Sequence, residues 1–277
     1  DIGGYISQVA SQETGLPSGV PVTVGTIDAA AEAMSVGVQK PGHMMIMYGS
    51  TMFLIALTPK DQSDQSLWSS PWLFKNEFSL MAGTSTSGTI TQWFRKEFAR
   101  ELDHSDAFSK LLKLASNSPV GSKNLITLPY FSGERTPIQN PNASGVIFGL
   151  NLTHTRADIY RSILEGISYG ANHIIETFVS AGFKPKIIFA VGGGVKNDIW
   201  TSSISNISGF DQIIKSKTIG AAYGNSFLGA LSLGHVERQE IDNWNETKQV
   251  IKAESNPIYS KQYKLFKALY ESTSKLM

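Results

Sequence analysis

The chain has 277 residues, of which 41% are hydrophobic and 17% are charged, and its formal net charge is +1. This is the composition of an ordinary globular protein, and the near-neutral charge gives no reason to expect nucleic acid or a membrane surface as a partner. The chain contains no cysteine, which excludes disulfides and thiolate metal sites and fits a cytoplasmic protein. No apolar run reaches the roughly 18–20 residues that a membrane-spanning helix needs.

The first predicted elements place a carboxylate at the start of a helix. Residues 4–14 predict a short helix, and residues 21–25 predict a buried strand. Asp28 follows that strand, where the N-cap or first turn of an alanine-rich helix belongs. A lone carboxylate flanked by small residues could accept the proton of a substrate hydroxyl that attacks a phosphoryl group. The alternative is that Asp28 only caps its own helix, and the spacing by itself favours this alternative.

The next elements predict a hairpin with a polar turn. Two apolar strands, at 44–48 and 52–57, flank Gly49, Ser50 and Thr51. Backbone amides and hydroxyls in this turn could hold phosphate oxygens, and a tight turn explains the same residues equally well.

The remaining elements alternate between strands and helices, which indicates one α/β domain. In chain order they are an exposed excursion at 58–76, a strand at 78–82, a loop at 83–88, a helix bearing Trp93, Phe94 and Phe98, a strand at 125–128, a loop at 129–142, a helix at 156–181, a strand at 187–191, and helices at 197–208, 219–233 and 257–275. Glu134 and Arg135 are expected to form an ion pair within the loop at 129–142. Trp93 and Trp200 are expected to pack in the core or against helices.

Three consecutive glycines, Gly192, Gly193 and Gly194, follow the strand at 187–191. One or two glycines are enough for a turn, so a third favours close approach of the backbone to a ligand. The run lacks the third glycine of a GxGxxG fingerprint, and the chain has no GxxxxGK[ST] loop, so a dinucleotide-dependent enzyme is not supported. The histidines are scattered and predict no metal site.

The motifs resemble, in their order, the C-terminal half of the FGGY carbohydrate kinases, and most closely the xylulokinase-like branch. The resemblance runs from about Gly15 to Gly234, and its specificity lies in the common order of many short motifs, each of them weak alone. That order outweighs the capping interpretation of Asp28. The matching segments are residues 15–17, 25–30, 48–51, 128–137, 145–150, 154–156, 162–166, 192–194 and 220–222.

The resemblance implies an actin-like, ribonuclease-H-like ATPase domain with a mixed central sheet flanked by helices. Residues 1–277 would form the single C-terminal nucleotide-binding domain of a two-domain sugar kinase, whose N-terminal sugar and phosphate-loop domain lies outside this chain. Asp28 would be the general base, and the implied cofactors are ATP and Mg²⁺, with no metal ligand assigned to this chain. The residues implied to bind the nucleotide are Gly49, Ser50 and Thr51 at the phosphates, Gly88 and Gln92 beside the phosphates and ribose, Gly193, Gly194 and Asn197 at the adenine, and Gly192 in the same run of glycines.

The implied reaction is phosphorylation of a sugar hydroxyl, with a ketopentose such as xylulose as the expected substrate. The isolated chain is expected to be inactive, because the sugar would be held through the missing domain. Gly49-Ser50-Thr51 departs from the Gly-Thr-Ser found in many members. The alternative function is a non-catalytic actin-like nucleotide-binding module with a role in regulation or assembly. Neither nucleic acid nor a membrane is expected as a partner, and a homodimer is left open.

Overall fold

The computed structural model describes residues 1–61, 64–102 and 106–277. In chain order its elements are β1 (Ile2–Tyr5), α1 (Gln8–Thr14), β2 (Pro21–Thr23), α2 (Asp28–Ser35), β3 (His43–Tyr48), β4 (Met52–Thr58), β5 (Trp68–Pro71), β6 (Phe78–Gly83), α3 (Gly88–Phe98), α4 (Ala107–Ala115), β7 (Ile126–Leu128), β8 (Val146–Phe148), α5 (Arg156–Ser180), β9 (Ile187–Val191), α6 (Asp198–Ser208), β10 (Gln212–Lys215), α7 (Ala221–Ser232), α8 (Ile241–Trp244), β11 (Thr247–Ile251) and α9 (Pro257–Thr273).

Seven strands form a mixed central sheet in the order β11-β10-β9-β3-β4-β6-β5. Strand β9 is parallel to both of its neighbours, β3 and β10, and the other neighbouring pairs are antiparallel. The carboxyl ends of β3, β9 and β10 therefore lie along one edge of the sheet. Open α/β sheets bind ligands at this kind of edge.

Helices cover both faces of the sheet, because the strands alternate apolar side chains between them. On β3, Ile46 packs into the same core cluster as residues of α3, α5 and α6, whereas Met45 packs on the other face against α2. The predicted α/β fold, with a mixed sheet flanked by helices, is thus confirmed. In the described part of the chain, no helix is long and apolar enough to cross a membrane.

Helix α2 packs against α7 at backbone distance. A Cβ atom added to Gly224 of α7 would lie 1.8 Å from the carbonyl oxygen of Ala31. The side of α2 that meets its neighbours consists largely of alanine, with Ala30, Ala31 and Ala33 buried. Glycine on one helix and alanines on the other are what allow the two backbones to approach this closely.

Helix α5 has 25 residues and begins with a capping box. The backbone amide of Thr155 donates to the Asp158 carboxylate over 2.8 Å, which is one half of a capping box. Further along, a Cβ atom on Gly166 would lie 2.3 Å from the carbonyl oxygen of Thr127 in β7. Glycine at this position therefore allows β7 to lie directly against the helix.

Three of the predicted elements are wrong. Residues 4–14 do not form one helix, because β1 occupies the first of them and α1 begins at Gln8. Strand β2 is not buried, because it pairs with β1 in a separate two-stranded sheet. The excursion at 58–76 contains β5, which pairs with β6 as an edge strand of the central sheet.

The expected ion pair between Glu134 and Arg135 is also wrong. The buried carboxylate of Glu134 instead accepts the backbone amides of Ser85 and Arg135, each over 2.7 Å. The guanidinium of Arg135 donates to the carbonyl of Thr84 and lies over the ring of Trp68. Burial raises the pKa of Glu134 to about 7, although the hydrogen bonds from the two amides lower it. Backbone amides satisfy this carboxylate, and the sequence does not reveal which amides lie beside it in the folded chain.

Candidate functional site

A cavity of about 640 Å³ opens at the sheet edge where β3 and β9 end. Of the nine residues that the resemblance implies for nucleotide binding, seven line this cavity, whereas Thr51 and Gly192 do not. The structure thus brings together residues that are far apart in the sequence. The seven are Gly49, Ser50, Gly88, Gln92, Gly193, Gly194 and Asn197.

The turn between β3 and β4 is bound to the start of α3. The carbonyl of Gly49 accepts the amide of Gly88 over 3.0 Å, and the carbonyl of Ser50 accepts those of Ser87 and Thr89 over 2.9 and 3.1 Å. A Cβ atom on Gly88 would lie 2.6 Å from the Gly49 oxygen, so this position requires glycine for packing. The first amides of α3 are therefore used within the protein and are not free to hold an anion.

The same turn keeps other donors unused. Within the described residues, neither the amides nor the hydroxyls of Ser50 and Thr51 make a hydrogen bond, and both residues are exposed. Successive free amides with hydroxyls beside them are a common arrangement for holding phosphate oxygens. Ser50 can therefore offer two uncharged donors in the cavity wall, and Thr51 offers two more beside it, outside the wall.

The three glycines after β9 differ in their surroundings. Gly192 has a φ of +93°, and a Cβ atom there would lie 2.6 Å from the carbonyl oxygen of Tyr48. A Cβ atom on Gly194 would lie 2.6 Å from the ring of Trp200. A Cβ atom on Gly193 would meet nothing within 4 Å. Packing therefore explains the first and third glycines, whereas the second faces the open cavity.

Two amide side chains lie at the cavity. Asn197 caps α6, because its Oδ1 accepts the backbone amide of Trp200 over 3.0 Å. Its Nδ2 donates to no acceptor within the described part of the chain, and neither does the exposed side chain of Gln92 on α3. Both amide groups are thus available to a ligand.

An apolar wall completes the cavity, and sequence reasoning missed most of it. Phe108 and Leu112 come from α4, for which the sequence analysis assigned no element, and Tyr160 comes from α5. Trp200 is buried, as expected, but it also lines the cavity, where its ring meets that of Tyr48 edge to face at 5.1 Å. The available signal was the amphipathic pattern of residues 107–115, which indicates a helix but not what the helix faces.

Asp28 lies outside this cavity. It is the first residue of α2, its side chain is exposed, and its Oδ1 accepts the amide of Ala29 over 2.7 Å. The N-cap position belongs to Ile27. The carboxylate therefore does not cap the helix in the usual way, since a capping side chain bonds the second or third amide after it.

The first turn of α2 lies at the same edge of the sheet as the cavity, but on the opposite face. Helix α7 begins after the carboxyl end of β10, and its N-cap is Gly220. The Glu32 carboxylate on α2 lies 3.7 Å from the Cβ position of Gly220. Burial raises the pKa of Glu32, and the charge of Asp28 one turn earlier raises it further.

The described residues contain no group of three histidine, aspartate or glutamate side chains placed to hold a metal ion. The described residues thus offer no ready-made set of side chains for a resident metal ion.

Comparison with known proteins decides the family. The model of the FGGY family of carbohydrate kinases, C-terminal domain, matches residues 44–233. The chain belongs to this family. The chain is 27% identical over 283 residues to xylulose kinase of Bacillus subtilis (strain 168), a match that covers 99% of this chain and 55% of the relative. Gluconokinase of the same organism is 25% identical over 288 residues, with 98% of this chain and 55% of the relative covered.

The chain therefore spans about half the length of the curated relatives it matches. Among solved structures, xylulose kinase from Rhodospirillum rubrum superposes with a TM-score of 0.90 at 27% identity, covering 99% of this chain and 56% of that one. The actin-like ATPase fold predicted from the sequence motifs is confirmed by this likeness.

Proposed function

We propose that this chain is the ATP-binding half of a two-domain sugar kinase. The observation that carries the proposal is the cavity at the ends of β3 and β9, in whose wall seven of the nine expected nucleotide-binding residues meet. Membership of a carbohydrate kinase family supports the same conclusion. The cavity has an apolar wall suited to a flat base and a rim of hydrogen-bond donors suited to phosphates.

In this proposal each part of the cavity has a task. The ring of Trp200, with Phe108 and Leu112, provides the apolar surface for the base. The free amides and hydroxyls of Ser50 and Thr51 donate to phosphate oxygens. Mg²⁺ would enter with the nucleotide and neutralise part of its charge, as it does in other phosphoryl transfers. This chain would then position the nucleotide, and positioning supplies much of the rate enhancement in phosphoryl transfer.

Asp28 is the proposed general base for the sugar hydroxyl. Its exposed carboxylate at the cavity edge of the sheet has one free oxygen, since only Oδ1 is bonded to Ala29. A carboxylate in this position takes the proton as the hydroxyl oxygen attacks the terminal phosphoryl group. The small residues that follow it, Ala29 and Ala30, leave space for a sugar beside it.

A second domain is part of the proposal. The chain spans about half of its relatives, and its first residues expose many apolar side chains. An apolar surface of this density is typical of a contact with another domain or protein. The exposed side chains are Ile2, Tyr5, Val9, Leu16, Val20, Val22, Val24 and Ile27.

The proposed substrate is a ketopentose such as xylulose. Xylulose kinases are prominent among the relatives, but gluconokinases and a ribulokinase also match over nearly the whole chain. A screen of the full-length protein against xylulose, ribulose and gluconate, with ADP release as the readout, tests the choice. A higher kcat/KM for gluconate than for either ketopentose would overturn it.

The experiment that tests the base is Asp28→Asn in the full-length protein that carries this chain. We expect kcat to fall at least roughly a hundredfold, the scale of general-base catalysis, while ATP binds as before. The matched control is Glu32→Gln, one turn later on the same helix, which removes the same charge. We expect this control to retain kcat within about threefold. Unchanged turnover in Asp28→Asn would overturn the role of Asp28 as the base. A wild-type protein that binds ATP and phosphorylates no sugar would favour the non-catalytic module.

A further inference from the structure

The wall of the cavity carries one charged side chain within the described residues, and that side chain is a lysine. Lys196 lines the cavity and is exposed, while every other lining residue is uncharged. Within the residues that the structure describes, no carboxylate oxygen lies within 4.0 Å of its ammonium group. A cation at a ligand cavity without a protein partner is available to an anion from solution.

The backbone places Lys196 beside the turn with the free donors. Lys196 ends the single helical turn Gly193–Lys196. Two residues before it, a Cβ atom on Gly194 would lie 2.9 Å from the Cβ of Tyr48, so the two backbones adjoin. Tyr48 directly precedes Gly49, Ser50 and Thr51. The ammonium group of a lysine stands on a flexible four-carbon stem, so it can take several positions along the cavity wall.

The charges of the neighbouring donors indicate which ligand group Lys196 binds. The donors of Ser50 and Thr51 are uncharged, and the first amides of α3 are already bonded to carbonyls. A nucleoside triphosphate carries several negative charges, so a cationic donor contributes most to its binding affinity. We propose that Lys196 binds the phosphate chain of the nucleotide, an inference that rests on the proposed function.

The test compares nucleotides that differ in phosphate number. Calorimetric titrations of the full-length protein with ATP, ADP and adenosine are repeated for Lys196→Met and Lys196→Arg. We expect Lys196→Met to weaken ATP binding roughly tenfold, as for loss of a charged hydrogen bond, and to leave adenosine within about twofold. Lys196→Arg should recover most of the affinity, because the positive charge is retained. Added salt should weaken ATP binding to the wild type more than to Lys196→Met.

The matched control is Lys184→Met, an equal change of charge on an exposed lysine in the loop before β9, at the opposite edge of the sheet. It should leave all three affinities unchanged. Equal losses for ATP and adenosine in Lys196→Met, or no loss at all, would overturn the role of Lys196. A wild-type protein that binds none of the three ligands would instead overturn the proposed function, so the two failures are distinct.

Discussion

Gly193 differs from its neighbours in having no structural reason to be glycine. Its φ is not in the left-handed region, and an added Cβ atom would meet open space, whereas Gly192 and Gly194 lie against Tyr48 and Trp200. When packing does not require a glycine on a cavity wall, the absence of a side chain indicates that a ligand needs the space. Gly193 is therefore the glycine whose replacement separates binding from folding.

We expect Gly193→Val to fold normally and to lose nucleotide affinity by roughly tenfold or more, because the new side chain occupies the cavity. Its free energy of unfolding should change by less than about 1 kcal/mol, measured by urea denaturation. Gly4→Val on β1, where an added Cβ atom also meets open space, is the control for binding.

Gly192→Ala should behave in the opposite way. The φ of Gly192 is positive, and an added Cβ atom would lie 2.6 Å from the carbonyl oxygen of Tyr48. We therefore expect a loss of stability of about 1–3 kcal/mol. Normal affinity of Gly193→Val for ATP would contradict the prediction, and so would a Gly193→Val protein as unstable as Gly192→Ala.

At this scale the sequence indicated the run of glycines but not the structural reason for each one. Three glycines after a strand predicted close approach of a ligand, and that interpretation treated them alike. Their difference depends on Tyr48 and Trp200, which lie in other elements and reach the glycines only in the folded chain. The expected pairing of Glu134 with Arg135 failed for the same reason, because the donors that satisfy the carboxylate include an amide from residue 85.

At the scale of elements, a buried carboxylate joins three segments. Glu165 of α5 accepts the Arg161 side chain over 2.9 Å, the amide of Gly121 over 3.0 Å and the hydroxyl of Ser122 over 2.7 Å. The Tyr259 hydroxyl of α9 is 3.3 Å away. Both Glu165 and Arg161 are buried, so each charge depends on the other for compensation.

Glu165→Leu should therefore destabilise the protein by about 3–5 kcal/mol, because it leaves the Arg161 guanidinium buried without its counter-charge. The measurement is the free energy of urea unfolding. Replacing both residues by leucine should cost less than Glu165→Leu alone, since no uncompensated charge remains. A double variant less stable than the single one would show that Arg161 stabilises the fold even without Glu165, and would contradict the explanation by an uncompensated charge.

Elements with a strong period were predictable, and those defined by their neighbours were not. The 25-residue α5 and the apolar strands β3, β4 and β9 agree with their predictions, because their apolar residues recur with the pattern of elements buried on one or both faces. Strand β5 contains Ser69, Ser70 and Pro71, which indicate a loop, and it is a strand only because β6 offers a partner. Likewise β2 has strand-forming residues but pairs only with β1, in a two-stranded sheet outside the central one.

For the whole molecule, we expect the isolated 277-residue chain to show no sugar-dependent ATP turnover. Phosphoryl transfer needs the nucleotide and the acceptor hydroxyl held together, and in the proposed kinase this chain would provide only one wall of such a cleft. The measurement is ADP release with xylulose, ribulose or gluconate present, against the full-length protein under the same conditions. Turnover by the isolated chain above its rate without sugar would contradict the prediction.

The backbone contact between Ala31 and Gly224 links the candidate base to the rest of this half of the protein. With a gap too small for one methyl group, α2 has no room to slide or turn past α7. In the proposed two-domain kinase, Asp28 would therefore move as part of one rigid body with the sheet, and its carboxylate would reach a sugar only when that entire body closes. The timing of proton removal would then be governed by the hinge between the two halves rather than by any local rearrangement of the helix.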